Sequence, residues 1–316
     1  MRLSVVVSTY GRRSYIEQCI DSLLAQDRLP DEIVVITRVG DDPTEKYIDE
    51  LLSNYTGSVE FRRARVTEPG VLAANRAGMR LVSGDIVSFI DDDATAHTDW
   101  LSRIEKWFED QPDVGAVGGR DSQECAGIAS ESTTNVGRVL WYGRVIGNHH
   151  KVSRGARQVD VLKGVNMSFR RHLIPRFDEN ILGSAHSYEM DLCFAVRHRG
   201  YRVIFDGDLL VDHYVNAPRY LAGSTDANDN RREYFIHHNR VYVLLKNLGF
   251  WKKLIFLGYT FGLEGIIFLY RLVSGSHGMN PDLLGWIYRG KISGLRDYLF
   301  RHRPASSRAG EYGGTD

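Results

Sequence analysis

The sequence predicts an α/β protein: a mainly parallel sheet covered by helices, with a C-terminal helical extension. Through residues 1–120, short β-branched runs alternate with stretches of helical spacing, and the connections between them are short. A third observation points toward function. The stretch "VSFIDDDATAHTDW" (87–100) ends a buried strand on three consecutive carboxylates, Asp91, Asp92 and Asp93. Within about 7 Å of extended backbone, these charges repel one another unless a cation or solvent intervenes. In helix-covered parallel sheets, ligands bind outside the carboxyl ends of the strands, and the triplet sits at such an end.

Each element has its own justification. "LSVVVSTYG" is a β-branched run closed by Gly11, a strand and its loop. Residues 14–26 put Ile16, Cys19, Ile20, Leu23 and Leu24 on one helical face, with Ser14 as the cap and Glu17 three residues on. "DEIVVITRV", "VEFRRARV" and "DIVSFIDDD" read as further strands, and "TEKYIDELLSNY" and "VLAANRAGMRLVSG" as the helices between them. "DWLSRIEKWFED" is a helix and "VGAVGGR" a strand. Residues 121–160, rich in Gly, Ser, Asn and His, read as a long functional loop or inserted hairpin. "VDVLKGVNMSFRR" returns to a strand, "SYEMDLCFAVRHRG" is a helix ending at Gly200, and "YRVIFDGDLLVDHYV" is a strand pair or one extended stretch. From about residue 225 a polar-led helix precedes an apolar segment, and the tail "RHRPASSRAGEYGGTD" reads as disordered.

Composition narrows the function classes. The 316 residues are 43% hydrophobic, enough for a real core. Forty basic residues balance forty acidic ones, so there is no basic excess to suggest nucleic acid. The three cysteines, Cys19, Cys125 and Cys193, lie far apart and form no zinc or redox motif, which fits a reducing compartment. "MRLSVVVSTYG" lacks the apolar core of a signal peptide, so the chain reads as cytoplasmic. Residues 250–273 are strongly apolar between Lys252–Lys253 and Arg271. With about 18 residues between the charges, the segment is at the lower limit for a bilayer span. A buried hairpin and an interfacial helix at the membrane surface are the two better readings.

Candidate chemistry begins at the triplet. Mg²⁺ and Mn²⁺ suit carboxylates acting with substrate phosphates, which favours a metal and nucleotide role over a solvated turn. In "EPGVLAANRAG" (68–78), Gly70 permits close backbone approach and the helix start can face a diphosphate, yet neither a P-loop nor a dinucleotide fingerprint is present. Glu189 and Asp191 open a helix two residues apart. They point about 200° apart, so both cannot aim at one atom. A lone histidine such as His213 in "VDHYV" is more often structural, although imidazole is a good metal ligand.

In order and spacing these stretches fit a known pattern. "VVVSTYGRRSYIEQCIDSLLAQ…DEIVVI", "PGVLAANRAGMRLVSGDIVSFIDDDATAHTDWL", "LKGVNMSFRR" and "YEMDLCFAVRHRGYRVIFDGDLLVDH" together resemble the family 2 glycosyltransferases of the GT-A fold, over roughly residues 3–215. The resemblance implies inverting transfer of a sugar from a nucleotide-diphosphate donor to a glycan or lipid-linked acceptor, with Mn²⁺ or Mg²⁺. The DxD-type motif maps to Asp91–Asp93, with Asp93 on the metal and Asp91 or Asp92 toward the ribose or sugar. Asp91 and His213 complete the implied metal side. Thr9, Tyr10 and Arg12 match the nucleotide-facing loop, and the donor side extends to Gly70, Asn75 and Asn166. Glu189 takes the general-base position, with Asp191 in reserve.

One departure concerns the base-reading turn. Arg38 stands where relatives carry acid, so that either Asp41 or Asp42 folds back or Arg38 meets the donor itself; Asp42 is counted on the donor side. Lys163 and Gly164 are expected to shape the floor, and Trp141, Tyr142, His149 and His150 an acceptor-facing lid. The implied organisation is a catalytic domain over 1–222, divided at 120 into nucleotide- and acceptor-binding halves. A helical extension over 223–302 meets the membrane face, and a tail follows. A nucleotidyltransferase and a degenerate nucleotide-sugar-binding protein are the competing readings. "STYGRRSY" lacks the Gly-rich basic loop of the first, and the intact triplet with Glu189 argues against the second.

Overall fold

The structure, a computed structural model, describes residues 1–183, 186–216, 230–266, 270 and 281–302. The 222/223 boundary, the tail from 303 and part of the apolar segment 250–273 lie outside the described residues.

Strand β1 (Leu3–Thr9) is buried along nearly its whole length because its Val run must face helices on both sides of the sheet. It pairs in parallel with β2 (Glu32–Arg38) and β4 (Ile86–Asp91), and β2 pairs in parallel with β3 (Glu60–Val66). Helices α1 (Arg13–Leu24), α2 (Asp42–Asn54) and α3 (Val71–Met79) make the crossovers. Short β5 (Ala94–Ala96), helix α4 (Trp100–Asp110) and β6 (Val114–Ser122) follow. In the region 121–160, β7 (Arg138–Val139) and β8 (Val145–Ile146) form a small hairpin, and β9 (Ala156–Gln158) joins the main sheet.

The expected strand over 159–171 is only β10 (Asn166–Arg170), and it runs antiparallel between β4 and β6. Helix α5 (Tyr188–His198) leads to β11 (Arg202–His213), one bent strand rather than a pair. The bend is a bulge between Asp206 and Leu210, where β11 passes β6. A Cβ at Gly119 would sit 1.7 Å from the Leu209 carbonyl oxygen, so only glycine admits the bulge. The strand order is β3-β2-β1-β4-β10-β6-β11-β5. Apart from β10, β5 and β9, all strands run in one direction.

That order positions the site. The carboxyl ends of β4, β6 and β11 share one rim, and the reversed β10 brings its leading loop, Lys163–Val165, to the same rim, with Asn166 opposite Ile90. His213 pairs with Ala94, immediately beyond the acidic triplet.

The core lies on both faces. Ile16, Ile20 and Leu23 of α1 and Trp100, Ile104 and Phe108 of α4 cover one face. Leu72 and Met79 of α3 and Met190, Leu192 and Cys193 of α5 cover the other. Helix α6 (Arg231–Asn247) contributes Val241–Leu245 to that second cluster, so the C-terminal helices share the core of the sheet. Helix α7 (Phe250–Leu257), a π-helical turn (Gly258–Leu263) and α8 (Pro281–Phe300) complete the described chain. Among the described residues, no helix is long and apolar enough to cross a membrane.

Candidate active site

Asp91 ends β4, and the chain turns through Asp92 and Asp93 into β5. The carboxylates divide their partners. Arg12, just before α1, reaches Asp92 at 2.7 Å and Asp93 at 2.9 Å. Burial, partly opposed by Arg12, pushes Asp92 up to about 7. Burial and the neighbouring Asp93 also raise Asp91. One arginine cannot neutralise two buried carboxylates and the half-buried Asp91 beside them.

The shortfall converges on one point. Single ligand atoms of Asp91, Asp93 and His213 lie within 4.8 Å of one another. Asp121, near the end of β6, is fully buried and receives the Lys163 ammonium together with Nδ1–H of His213 at 3.3 Å. Against burial, which raises it, these two donors hold Asp121 down at about 2, so it accepts and the His213 proton sits on Nδ1. His213 Nε2 lies 3.6 Å from Asp93 Oδ1, a buried oxygen with no hydrogen-bond partner among the described residues. A carboxylate oxygen and an imidazole nitrogen this close can share a proton or a cation. The oxygen and imidazole donors suit Mn²⁺ or Mg²⁺, so the residues present fit a divalent metal.

Glu189 stands beside this group at the start of α5. Burial first, and then the charge of Asp91, push its carboxyl up to about 7, against the amide of Gly164, the charge of Lys163 and its own amide. A Cβ on Gly164 would come within 2.7 Å of the Tyr188 hydroxyl and 3.2 Å of Glu189 Oε1, so the floor has to be glycine. Ser187, which precedes the helix, is held at φ 76°. A non-glycine residue there stores about 1–2 kcal/mol of backbone strain beside the carboxylate.

On the other side of the triplet, a cleft of about 220 Å³ is lined by Thr9, Tyr10, Arg12, Arg38, Gly70 and Asp92, among others. The Arg38 guanidinium lies 3.1 Å over the Tyr10 ring. Gly70, at φ 108°, turns the chain into α3 without a side chain in the way.

Comparison with known proteins places this geometry. The sequence model of Glycosyl transferase family 2 matches residues 4–174, more than half of the chain. The chain belongs to glycosyl transferase family 2. A glucosyl-dolichyl phosphate glucuronosyltransferase of Haloferax volcanii is 28% identical over 229 residues, 67% of this transferase and 69% of the relative. An abequosyltransferase of Salmonella typhimurium is 28% identical over a shorter stretch, 36% of this chain and 34% of that one. In structure, the transferase resembles a Pyrobaculum calidifontis mannosyltransferase in complex with GDP-Man and Mn²⁺, with a TM-score of 0.57 at 18% identity over 96% of this chain and 88% of that one. S. aureus TarS 1–349 in complex with UDP-GlcNAc gives 0.59 at 15% identity, over 95% and 81%. The fold is GT-A, and the protein is a glycosyltransferase of family 2 that acts on nucleotide sugars.

Most of the residues expected at the site of the transferase do gather there: Thr9, Tyr10, Arg12, Arg38, Gly70, Asp91–Asp93, Glu189 and His213 line one continuous rim. Others do not. Asn166 is buried, and its amide is spent within the core, accepting from Trp100 Nε1 at 2.9 Å and donating to the Leu209 carbonyl at 3.0 Å. Asp191 points to the far side of α5, where Lys246 at 2.7 Å and Asn247 at 2.9 Å hold it.

Asp42 is exposed in the first turn of α2, and it is Asp41 that folds back, accepting the Gly11 amide at 2.5 Å. Asn75 is buried on α3, beside Tyr188. Tyr142 packs on Tyr259 rather than over the rim, and His149 is buried with Nε2 donating to the Val161 carbonyl at 2.9 Å. Asp121 escaped the sequence reading. Its signal was the one that revealed Asp91, a carboxylate at the carboxyl end of an apolar strand.

Proposed function

We propose that the transferase moves the sugar in a single inverting displacement, with Glu189 as general base and a divalent cation held by Asp91, Asp93 and His213. The observation that carries this reading is the adjacency of a cation-deficient Asp–Asp–His group and a carboxyl raised to about 7, on the rim of a nucleoside-sized cleft. Glu189 takes the proton of the acceptor hydroxyl as the oxygen forms its bond to the anomeric carbon. The bond from that carbon to the diphosphate breaks on the opposite face, and the nucleoside diphosphate leaves. A bound divalent cation supplies the countercharge for the departing diphosphate. Arg12 fixes Asp92 and Asp93, Asp121 orients His213, and Tyr10 with Arg38 forms the wall on which a nucleobase stacks.

A lipid-linked or glycan acceptor agrees with the dolichyl phosphate named for the Haloferax relative. The three unpaired cysteines agree with catalysis on the cytoplasmic side. The catalytic unit runs to about residue 222, with its donor half over 1–120. Turnover of UDP-, GDP- and dTDP-sugars with Mn²⁺ or EDTA, read by product anomer, tests the reading. A product of inverted configuration, formed only with metal and lost in Glu189→Gln, is expected. A retained configuration would overturn the single displacement.

A further inference from the structure

The helical stretch from Phe250 to Ile266 is amphipathic with its polarity reversed. Lys252 apart, its charged residues and Thr260 face the protein. Thr260 is fully buried, Glu264 forms a 2.6 Å ion pair with the buried Lys291 of α8, and Lys253 reaches the Tyr298 hydroxyl at 2.7 Å. Phe256 is buried in the core, but most of the other apolar residues face outward: Trp251 is 74% exposed, Phe250 66% and Ile266 65%, with Leu254, Ile255 and Leu263 beside them. Trp251, Ile255, Gly258, Gly262 and Ile266 are all exposed along this stretch, which passes through the π-helical turn, and none of them carries a charge. A water-soluble surface helix has the opposite arrangement, and a contiguous outward apolar face of this kind marks a binding surface.

The rim of that face identifies what covers it. Two aromatic residues open α7, and the exposed Lys252 follows directly. Lys252 borders a cleft of about 440 Å³ to which Arg197, His198 and Arg202 also contribute. Arg197 and Arg202 are paired with Asp160 and Asp113, and among the described arginines and lysines of this cleft Lys252 has no ion pair. Exposed Trp141 joins the same surface through Tyr142, whose ring packs 4.7 Å from that of Tyr259. Aromatic residues at the headgroup level, aliphatic residues below and lysine at the edge form the pattern of an interfacial helix.

We infer that the outward face of residues 250–266 docks the protein onto an anionic lipid bilayer, lying in the interface without crossing it. This inference stands apart from the chemistry proposed for the rim, because docking is read without turnover.

The test is flotation of the full chain with phosphatidylcholine vesicles, with and without about one-third phosphatidylglycerol. Phe250→Ser/Trp251→Ser, Lys252→Glu and a control variant, Leu52→Ser, run beside wild type, and donor binding checks that each is folded. Wild type and Leu52→Ser are expected to float with anionic vesicles. The double variant loses at least about tenfold in partitioning, and Lys252→Glu loses the preference for anionic lipid. Wild type that stays with the soluble fraction on both vesicle types would overturn the inference. So would equal flotation of the double variant. A concentration-dependent dimer abolished by the double variant, without vesicle binding, would assign the face to a second copy of the chain instead.

Discussion

In the proposed metal role His213 would ligate through Nε2 with its Nδ1 proton on Asp121, which faces it from a fully buried position. Carboxylates that orient a ligating imidazole in this way contribute about 10–100-fold to metal affinity. Asp121→Asn should therefore weaken Mn²⁺ binding by about that factor, read by calorimetry, while donor binding without metal is unchanged. Glu189 is the second residue whose environment sets its function. With its carboxyl raised to about 7, the proposed base is ionised above that pH and protonated below it. The pH profile of kcat/KM should fall as pH drops through about 7, and Glu189→Gln should lose that limb along with about 10²–10⁴-fold in kcat. An unshifted acid limb in the variant would assign it to another group.

At the scale of elements, α5 and the loop before β10 are held by contacts that do no chemistry. Asp191 and Asp178 grip Lys246 from two sides at 2.7 and 2.9 Å, fixing α5 to α6 and so aiming Glu189 at the rim. Asp191→Ala leaves a largely buried ammonium short of a partner and should cost about 3 kcal/mol of stability, read by thermal unfolding. Gly164→Ala drives a methyl into the Tyr188 hydroxyl and Glu189. It should lower kcat far more than donor affinity.

Much at this scale was legible in advance. Helical periodicity alone said that Glu189 and Asp191 diverge, and strand-end carboxylates pointed to the triplet. The reversal of β10 was not legible, because it depends on pairing between segments about 80 residues apart. Hence Asn166 was expected at the donor and is instead tied to Trp100 and Leu209. The Asp121–His213 contact escaped for the same reason, with 92 residues between the partners.

The described chain is a mainly parallel sheet, with β10 reversed in its interior and β5 and β9 reversed beside β11; the candidate site lies on one rim, with α6 and α8 packed behind. The periodicity of the first 120 residues is enough to write down the parallel strands β1 to β4 and the helices that connect them. The C-terminal helices reveal their role only in three dimensions, where Tyr242 and Val241–Leu245 close the core and buried His238 meets Asp297 of α8 at 3.2 Å. A chain ending near residue 225 should accordingly lose cooperative unfolding, read by calorimetry, since it uncovers the apolar face that those residues protect.

Asp91 and Asp93, together with His213, are proposed to hold a nucleotide-bound cation. Calorimetric titration of UDP-, GDP- and dTDP-sugars into wild type and Asp93→Ala, with Mn²⁺ and with EDTA, tests it most directly. The account predicts a preference for one donor that requires Mn²⁺ and disappears in Asp93→Ala. Donor binding of equal strength with EDTA, or in Asp93→Ala with Mn²⁺, would contradict it.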